Sequence, residues 1–408
     1  MTPLSESDSS APDAAERLVY LDNAASTAVR PEALDVMLPL FAEDFANPSA
    51  HHAGGRRAAE ALDGARDTVA EVLGGLSEEI VFTSGGTESI NAALKGVAFA
   101  QADAGAGRHV VTTEVEHHAV LHSSHYLERF GFEVELLPVD EYGRVTAGEV
   151  AEAIREDTVL VSVGYANNEV GTVQPIAAIS EAVRARATEL GRRIPIHTDA
   201  VQAASSLPLN VDLLGVDLLS LSGHKFGGPK GTGILYIRRG VPFLEQTSGG
   251  GQERQRRSGT ENVPGVAGMA TALRLAQAER DSFREQTSKL RDRLLEQILA
   301  ACPDARLNGH PAERLPHNLH LCFPGVEGES LVEALDARGI ECSAGAACTS
   351  ATWEPSHVLL AMNVPLELAI GSLRMTLSPQ HTEADVDYVA SELPAAVRHL
   401  RETAVPTI

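Results

Sequence analysis

The chain has 408 residues with 56 acidic and 33 basic side chains, a formal net charge of −23 at pH 7. This charge argues against nucleic acid or an anionic membrane as a general partner. No run approaches the roughly 20 apolar residues of a membrane span, and the polar, acidic N-terminus contains no apolar signal core, so the sequence predicts a cytoplasmic protein without a membrane partner.

Residues 1–17 predict a disordered tail, because their Ser, Asp, Glu and Pro content cannot bury enough apolar surface. From Ile80 onward, short β-rich runs alternate with helical patterns. This alternation is typical of an α/β fold in which helices cover both faces of a mostly parallel sheet. The runs that predict strands are 80–83, 109–112, 134–137, 158–163, 194–198, 216–221 and 233–237.

A second lobe is predicted after the glycine-rich stretch 248–260. A helical segment of about 30 residues begins at Val266, and strands and helices that contain Cys322 and Cys342 follow it. The length of the chain exceeds the usual limit for one hydrophobic core, which also favours two lobes. No low-complexity linker separates them, so we expect close packing and a ligand site in the cleft between them.

Lys225 is one of four lysines in the chain and stands just past the strand-like run 216–221. A Schiff-base enzyme needs a lysine at the mouth of a sheet, among small residues that let a ring approach closely. The segment 222–231 supplies such residues. Lys95 and Lys289 lie in helical patterns that predict solvated surfaces, so Lys225 is the candidate for covalent chemistry.

The segment 80–91 predicts a buried strand that ends in Gly85 and Gly86 and leads into a helix beginning near Thr87. Backbone amides at such a helix start, beside a threonine hydroxyl, can cradle a phosphate. An ordinary strand-to-helix turn with an N-cap explains the pattern equally well. No lysine follows the glycines, so the segment is not a Walker loop.

Other strand ends also carry polar side chains. Asp199 predicts either an anion that keeps a cofactor's pyridine nitrogen protonated or a helix N-cap. His117 or His118 predicts ring stacking or proton transfer, and position alone does not choose between them. Residues 165–171 either offer amides to a ligand or form a turn.

Cys348 lies among small residues in the segment 340–352, which predicts an accessible cysteine on a mobile loop. The remaining cysteines predict small buried hydrophobic residues: Cys302, Cys322 and Cys342. No CxxC pair or Cys/His cluster occurs, so the sequence predicts neither a disulfide framework nor a structural metal site.

Arg374 lies in the apolar, strand-like run 372–377. A charge there requires an anion, because an unpaired charge is costly to bury. A substrate carboxylate gripped by two hydrogen bonds meets this requirement, and so does a structural Asp or Glu.

Together these segments resemble the NifS-like cysteine desulfurases, pyridoxal-phosphate (PLP) enzymes with the class V aminotransferase fold. The resemblance covers residues 21 to about 377 and rests on motifs in the family's order and spacing, at 83–89, 116–117, 167–171, 197–202, 222–225 and 257–260. It implies a fold type I PLP-dependent transferase, with a mostly parallel seven-stranded sheet in a large domain and a smaller α/β domain. The implied limits are 18–27 for an N-terminal segment packing with the small domain, 28–265 for the large cofactor-binding domain and 266–408 for the small domain with the cysteine loop.

The resemblance also implies how pyridoxal 5'-phosphate is held. Lys225 would bind it through a Schiff base, Asp199 would pair with the ring nitrogen and Gln202 with the ring hydroxyl. His117, rather than His118, would stack on the ring and take part in catalysis. The phosphate would be bound by Gly86, Thr87, Ser222, His224 and, from the second subunit of a homodimer, Thr260.

By the same resemblance the substrate is L-cysteine, and no metal takes part. Its carboxylate would be held by Asn23, Asn168 and Arg374, and Asn168 would also contact the cofactor. Cys348 would be the nucleophile that takes the sulfur as a persulfide and leaves L-alanine. The long segment 347–359 resembles the subgroup that passes sulfur directly to a scaffold protein, which implies a sulfur acceptor or iron-sulfur scaffold as partner, in cluster assembly or another thiolation.

Two departures from the family pattern are small: Gly86 stands where alanine is common, and Trp353 stands where a smaller residue is common and can alter which acceptor docks. Two alternatives to desulfuration stay open. Selenocysteine lysis or transamination on the same fold would use Lys225, Asp199 and His117 equally well, although Cys348 favours desulfuration. A catalytically idle dimeric docking platform is the other alternative, and the retention of the whole apparent site argues against it.

Overall fold

The computed structural model describes residues 17–344 and 355–403. The strands are β1 (Val19–Tyr20), β2 (Ile80–Thr83), β3 (His109–Thr113), β4 (Glu133–Leu137), β5 (Thr158–Ser162), β6 (Ile196–Asp199), β7 (Leu218–Ser222), β8 (Gly233–Ile237), β9 (Arg306–Leu307), β10 (Asn318–Cys322), β11 (Ile340–Glu341) and β12 (Ser372–Thr376). The helices are α1 (Pro31–Ala42), α2 (Ala53–Leu73), α3 (Gly86–Asp103), α4 (His118–Glu128), α5 (Ala147–Glu152), α6 (Ile176–Glu189), α7 (Val211–Leu214), α8 (Gln252–Gln255), α9 (Val263–Ala278), α10 (Arg280–Ala301), α11 (Gly328–Asp336), α12 (His357–Ala361), α13 (Leu366–Ala369) and α14 (Glu383–Thr403). Within the described ranges, no helix combines the length and the apolar character needed to cross a membrane.

The large sheet has seven strands in the order β2-β8-β7-β6-β5-β3-β4. Strand β8 is antiparallel to both of its neighbours, and the other pairs are parallel. All seven predicted runs are strands, with ends that shift by at most two residues. The predicted α/β class with a mostly parallel seven-stranded sheet is therefore confirmed.

Both faces of this sheet are buried except along the edge strand β4, as is typical of parallel sheets. Along β8, Ile234 and Tyr236 pack into one hydrophobic core, and Leu235 and Ile237 pack into another. Side chains of successive strand residues point to opposite faces, so a continuous apolar run such as this one fills both cores. Helices α2, α6 and α9 cover the first core, and α3 and α4 cover the second.

A smaller lobe is built on a three-stranded antiparallel sheet of order β12-β10-β9. Helices α10, α11 and α14 pack on it in a core of their own. The N-terminal Val19 and Leu21 are buried in this core, and β1 pairs in parallel with β11. Residues of α9 after position 265 pack with the large sheet; the domain limits at 27 and 265 stay predictions.

The prediction of one helix of about 30 residues from Val266 is wrong. The structure contains two helices, α9 and α10, with a break at Glu279. Glu279 has φ −91° and ψ 0° and accepts a hydrogen bond from Arg30 Nη2 at 2.8 Å. The break has a physical reason. Helix α9 packs into the core of the large sheet and α10 into the core of the small lobe, and one straight helix could not pack into both cores.

The fold brings the predicted motifs to one edge of the large sheet. Strands β3, β5, β6 and β7 run in parallel, and β2 runs the same way because two antiparallel steps through β8 separate it from β7. Their carboxyl ends therefore share one edge, which is where open α/β sheets bind ligands.

Candidate active site

A cavity of about 300 Å³ lies at this edge, between the large sheet and the small lobe. Small-molecule sites are typically concave and lie at such boundaries. The wall of the cavity contains most of the predicted site residues: Gly86, Thr87, His117, Asn168, Asp199, Gln202, Ser222, His224, Lys225 and Arg374.

Lys225 enters the cavity from a short 3₁₀ turn, Gly223–Lys225, that follows β7. Its Nζ donates hydrogen bonds to the backbone oxygens of Ala24 and Ala25, at 2.7 and 2.8 Å. Gln202 Nε2 donates to the same Ala24 oxygen at 3.0 Å. The N-terminal motif therefore orients the amine, a contribution that the sequence did not reveal because the partners are backbone atoms.

The turn between β2 and α3 forms a cradle beside Ser222. Gly85 has φ 156° and ψ 177°, a conformation open essentially to glycine. A Cβ built on Gly86 would lie 2.9 Å from Val201 Cγ2 and 3.3 Å from Ser222 Cβ, so alanine does not fit here without a shift of its neighbours. The 18-residue helix α3 begins here, and the amides of its first turn and its dipole favour an anion.

Asp199 ends β6 inside the cavity wall, and its Oδ1 accepts a hydrogen bond from the amide of Val201 at 2.9 Å. Burial raises the pKa of this carboxyl to about 6, against the opposing effects of that amide and of the Lys225 charge. The chain after Asp199 forms turns and not an α-helix, so the alternative of a helix N-cap is wrong.

His117 also lies in the cavity wall and caps helix α4, where its Nδ1 accepts a hydrogen bond from Ala119 N at 3.0 Å. Burial lowers its pKa to about 4, and the charge of Lys225 adds to this effect. The ring is therefore neutral at pH 7. His118 lines the cavity too, and its ring centroid is 4.6 Å from that of His357.

Arg374 reaches the cavity from β12 and is buried. Its Nη2 pairs with Asp22 Oδ1 at 2.8 Å, and Nη1 donates to the backbone oxygen of Asn168 at 3.0 Å. The structural aspartate, one of the two anions considered from the sequence, is thus present. Arg374 Nε has no hydrogen-bond partner among the described residues, so a role toward a substrate carboxylate stays a prediction.

Two of the predicted site residues that the structure describes, Asn23 and Thr260, are not in this wall. Asn23 Nδ2 donates to the backbone oxygens of Thr376 and Tyr20, at 2.7 and 3.2 Å. Thr260 is exposed on the surface of the single chain. Cys348 lies outside the described residues.

Trp353, like Cys348, lies outside the described residues. The other cysteines differ in burial. Cys302 and Cys322 are buried as expected, whereas Cys342 is half-buried at the edge of the small-lobe core. Burial raises the pKa of the Cys342 thiol to about 12, so it is not a thiolate at neutral pH.

Two buried carboxyl groups in the wall were not assigned a role from the sequence. Both oxygens of Glu116 accept from the amide of Gly164 at 3.0 Å, and Glu169 accepts from the hydroxyl of Ser356. Burial raises the pKa of each to about 7. The available signal was a glutamate within each of two motifs that follow a strand, 116–117 after β3 and 167–171 after β5. Carboxylates are rarely buried without partners, so a glutamate that is buried there needs a hydrogen-bonding role.

His197 supports the site from within β6. Its two ring nitrogens are hydrogen-bonded to the hydroxyls of Ser162 and Ser220, each at 2.9 Å. Burial lowers the pKa of this ring to about 3. Below about pH 6.5 this histidine takes up a proton in the unfolded chain. In the folded protein the ring stays neutral until the pH approaches 3.

The lower pKa of His197 in the folded chain than in the unfolded chain predicts a loss of stability in acid. The stabilising contribution of a neutral His197 is complete above about pH 6.5 and is lost as the pH falls toward 3, at about 1.4 kcal/mol per pH unit. His197→Gln removes the titration, so its free energy of unfolding should fall less steeply between pH 6 and pH 4 than that of the wild type. Urea unfolding at several pH values measures both slopes, and equal slopes would contradict the assignment.

Known proteins share this arrangement. Residues 19–389 match the family described as Aminotransferase class-V. The chain is 50% identical over 385 residues to Cysteine desulfurase IscS of Methanosarcina thermophila, which covers 94% of this chain and 93% of that protein. A solved NifS-like protein superposes with a TM-score of 0.87 at 39% identity, over 94% of this chain and 100% of its own. The structure titled "SspA in complex with cysteine" gives a TM-score of 0.75 at 35% identity, over 89% and 99%.

The family match spans most of the sequence, and the identity to the Methanosarcina thermophila protein extends along nearly the whole length of both proteins. The cavity with Lys225, Asp199 and the glycine-rich turn occurs on the matching fold. The chain therefore belongs to the cysteine desulfurases of the class-V aminotransferase family.

Proposed function

We propose that this protein converts L-cysteine to L-alanine with pyridoxal phosphate as cofactor and moves the sulfur to Cys348 as a persulfide. The observation that carries the proposal is that the Lys225 amine and the Asp199 carboxyl share one cavity with the glycine-rich start of α3. An amine, an anion and a phosphate cradle are the three groups that this cofactor requires. The names of the relatives favour desulfuration over the alternative reactions of the fold.

The residues present fit the cofactor. Gly86 and Thr87 at the start of α3 line the cavity together with Ser222 and His224, so amides of a helix start and polar side chains are available to a phosphate. Asp199 would pair with the ring nitrogen, Gln202 would lie beside the ring hydroxyl, His117 would stack on the ring, and Lys225 would attach covalently. When bound, the cofactor supplies an electron sink for the cleavage of bonds in an amino acid.

The chain's own groups then handle protons and binding. The Lys225 amine, held by the two alanine carbonyls, would remove the proton from the substrate's Cα. His117 is neutral, so it can contact the ring without adding a charge next to Lys225. Asn168 and Arg374 would hold the substrate carboxylate, and the buried guanidinium next to Asn168 supports this role.

Cys348 would act as the nucleophile. Residues Pro355, Ser356 and His357 line the cavity, so the chain that follows Cys348 in sequence enters the cavity wall. The thiolate of Cys348 would attack the substrate sulfur; an S–S bond forms, the C–S bond breaks with its electron pair going to carbon, and protonation of that carbon gives alanine. The reaction releases no other oxidised or reduced product.

A homodimer completes the proposed site, because Thr260 is exposed and would reach the phosphate of a second subunit. Large apolar side chains on and just after α1 support a second copy as partner: Leu34, Leu38, Phe41 and Phe45 are 42%, 62%, 60% and 74% exposed.

The protein would pass its persulfide to an acceptor or iron-sulfur scaffold in the cytoplasm.

The proposed function is tested with the purified protein, pyridoxal phosphate and L-cysteine. We expect equal amounts of alanine and of sulfur, the latter recovered as sulfide when a reducing thiol is present. L-Selenocysteine and L-alanine with a keto acid test the alternative reactions. Alanine formation without matching sulfide, or transamination at a higher rate than desulfuration, would contradict the proposal.

Asp199→Asn is expected to lower kcat by about 100-fold or more while the protein still folds. Asparagine keeps the acceptor for the Val201 amide but cannot supply the negative charge that holds a proton on the ring nitrogen. The rate of alanine formation at saturating cysteine measures the effect. A variant with the wild-type kcat would show that the charge of Asp199 has no part in the reaction.

A further inference from the structure

The segment 247–260 contains a left-handed turn made of residues other than glycine. Glu253, Arg254 and Gln255 have φ values of 47°, 56° and 63°. Such residues rarely adopt this conformation, and it persists only where the surroundings enforce it. The amide of Ser258 donates to the oxygen of Thr247 at 3.0 Å and closes the segment into a compact loop. A built, strained loop of this kind indicates a function.

Glu253 fixes the turn to the body of the large lobe. Both of its oxygens accept hydrogen bonds from Arg66 of α2, at 2.7 and 2.8 Å, and the two side chains are only 2% and 5% exposed. The amide of Phe82 in β2 donates to Glu253 Oε2 at 2.9 Å, and Arg66 Nη1 also donates to the oxygen of Ile80. A buried pair with this many hydrogen bonds defines a single position for the turn.

A second contact holds the other end of the turn. Arg257 Nε pairs with Glu88 Oε1 at 2.8 Å, and Glu88 Oε2 accepts from the amide of Ser84 at 2.8 Å. Ser84 and Glu88 flank the glycine-rich phosphate turn of the same chain. The segment is thus rigidly attached to its own subunit on one side, while Thr260 on the other side faces outward and is exposed.

We propose that Glu253, clamped by Arg66, is a positioning residue that presents Thr260 to the phosphate site of the partner subunit. The inference rests on the homodimer of the proposed function. The segment is attached rigidly at two points, and the exposed hydroxyl of Thr260 lies beyond them. Thr260 is not in the cavity wall of its own chain, so its hydroxyl is placed to bind at a neighbouring subunit. Glu253 itself does not touch the cofactor.

Two mixed dimers, each with one Lys225, test this inference. The first combines a wild-type subunit with a Lys225→Ala, Glu253→Gln subunit, so the Lys225 site faces the altered segment. The second combines a Lys225→Ala subunit with a Glu253→Gln subunit, so the Lys225 site faces a wild-type segment. Pyridoxal phosphate is titrated into each apo-dimer, the product is reduced with borohydride, and mass spectrometry gives the fraction of Lys225 that carries the cofactor.

We expect the first dimer to bind pyridoxal phosphate at its Lys225 site about tenfold or more weakly than the second, the loss expected for one hydrogen bond to a charged group. The reverse order would show that Glu253 acts on its own subunit and would overturn the inference. Equal weakening in both dimers would show a general structural role and would overturn it as well. Absence of cofactor on Lys225 in the wild-type homodimer is a separate result, which would instead contradict the proposed function.

Because loss of one partner of a buried ion pair destabilises a protein, a second pair of variants leaves Glu253 intact. Arg254→Gly keeps access to positive φ, whereas Arg254→Pro forces φ to about −65°. Both variants lose the bond from Arg254 Nη1 to the oxygen of Ser77, so their difference isolates the backbone. In the first dimer arrangement we expect weak cofactor binding with proline and wild-type binding with glycine; equal binding would contradict the role of the turn.

Discussion

Lys225→Ala is expected to abolish turnover, with a fall in kcat of at least about 1,000-fold. The amine has two roles in the proposed reaction, covalent attachment of pyridoxal phosphate and proton transfer at the substrate's Cα. Alanine has neither an amine nor the reach to the carbonyls of Ala24 and Ala25 that hold it. Alanine formation measures the loss, and the visible absorption spectrum measures the attachment.

The chain offers a matched control for this variant. Lys289 is exposed on α10, pairs with Glu285 at 2.7 Å and does not line the cavity. Lys289→Ala should keep both the wild-type rate and the wild-type spectrum. A Lys225→Ala protein with an unchanged absorption spectrum would show that the cofactor is attached elsewhere or not at all.

Cys348→Ala is expected to keep the cofactor and lose desulfuration, again by at least about 1,000-fold in kcat. The nucleophile and the attachment point are different residues, so removal of the thiol should leave the absorption of bound pyridoxal phosphate intact. Without a thiolate to attack the substrate sulfur, the C–S bond has no route to cleavage. Sulfide release from L-cysteine and the absorption spectrum, recorded on the same sample, separate the two effects.

Cys342 provides the control for this second variant. It precedes Cys348 in the same part of the sequence, but burial raises the pKa of its thiol to about 12. Cys342→Ala should therefore desulfurate cysteine at close to the wild-type rate. Sulfide release at the parental rate by Cys348→Ala, or its loss in Cys342→Ala, would assign the nucleophile to another thiol.

The large sheet could be predicted from the sequence because most of its strands are buried on both faces. Runs such as Thr158–Ser162 and Gly233–Ile237 are short, apolar and bounded by turn residues, which is the local signature of a buried strand. Parallel strands then place their carboxyl ends together, so Asp199 and Lys225 could be expected at one edge before any contact was known.

Contacts between distant parts of the chain could not be predicted in this way. Asp22 pairs with Arg374 across 352 positions, and Glu169 meets Ser356 across 187, with no local pattern that marks either pair. The break at Glu279 reflects the separation of two cores, which is a property of the whole fold. The left-handed turn at Glu253 carries no glycine or asparagine within it, so turn chemistry gives no signal there.

The attachment of the cofactor to Lys225 is the claim on which the proposed reaction depends. Borohydride reduction of the protein loaded with pyridoxal phosphate, followed by proteolysis and mass spectrometry, identifies the lysine that carries the phosphopyridoxyl group. We expect this group on Lys225. Its presence on Lys95, Lys230 or Lys289 in place of Lys225, or on no lysine, would contradict the account.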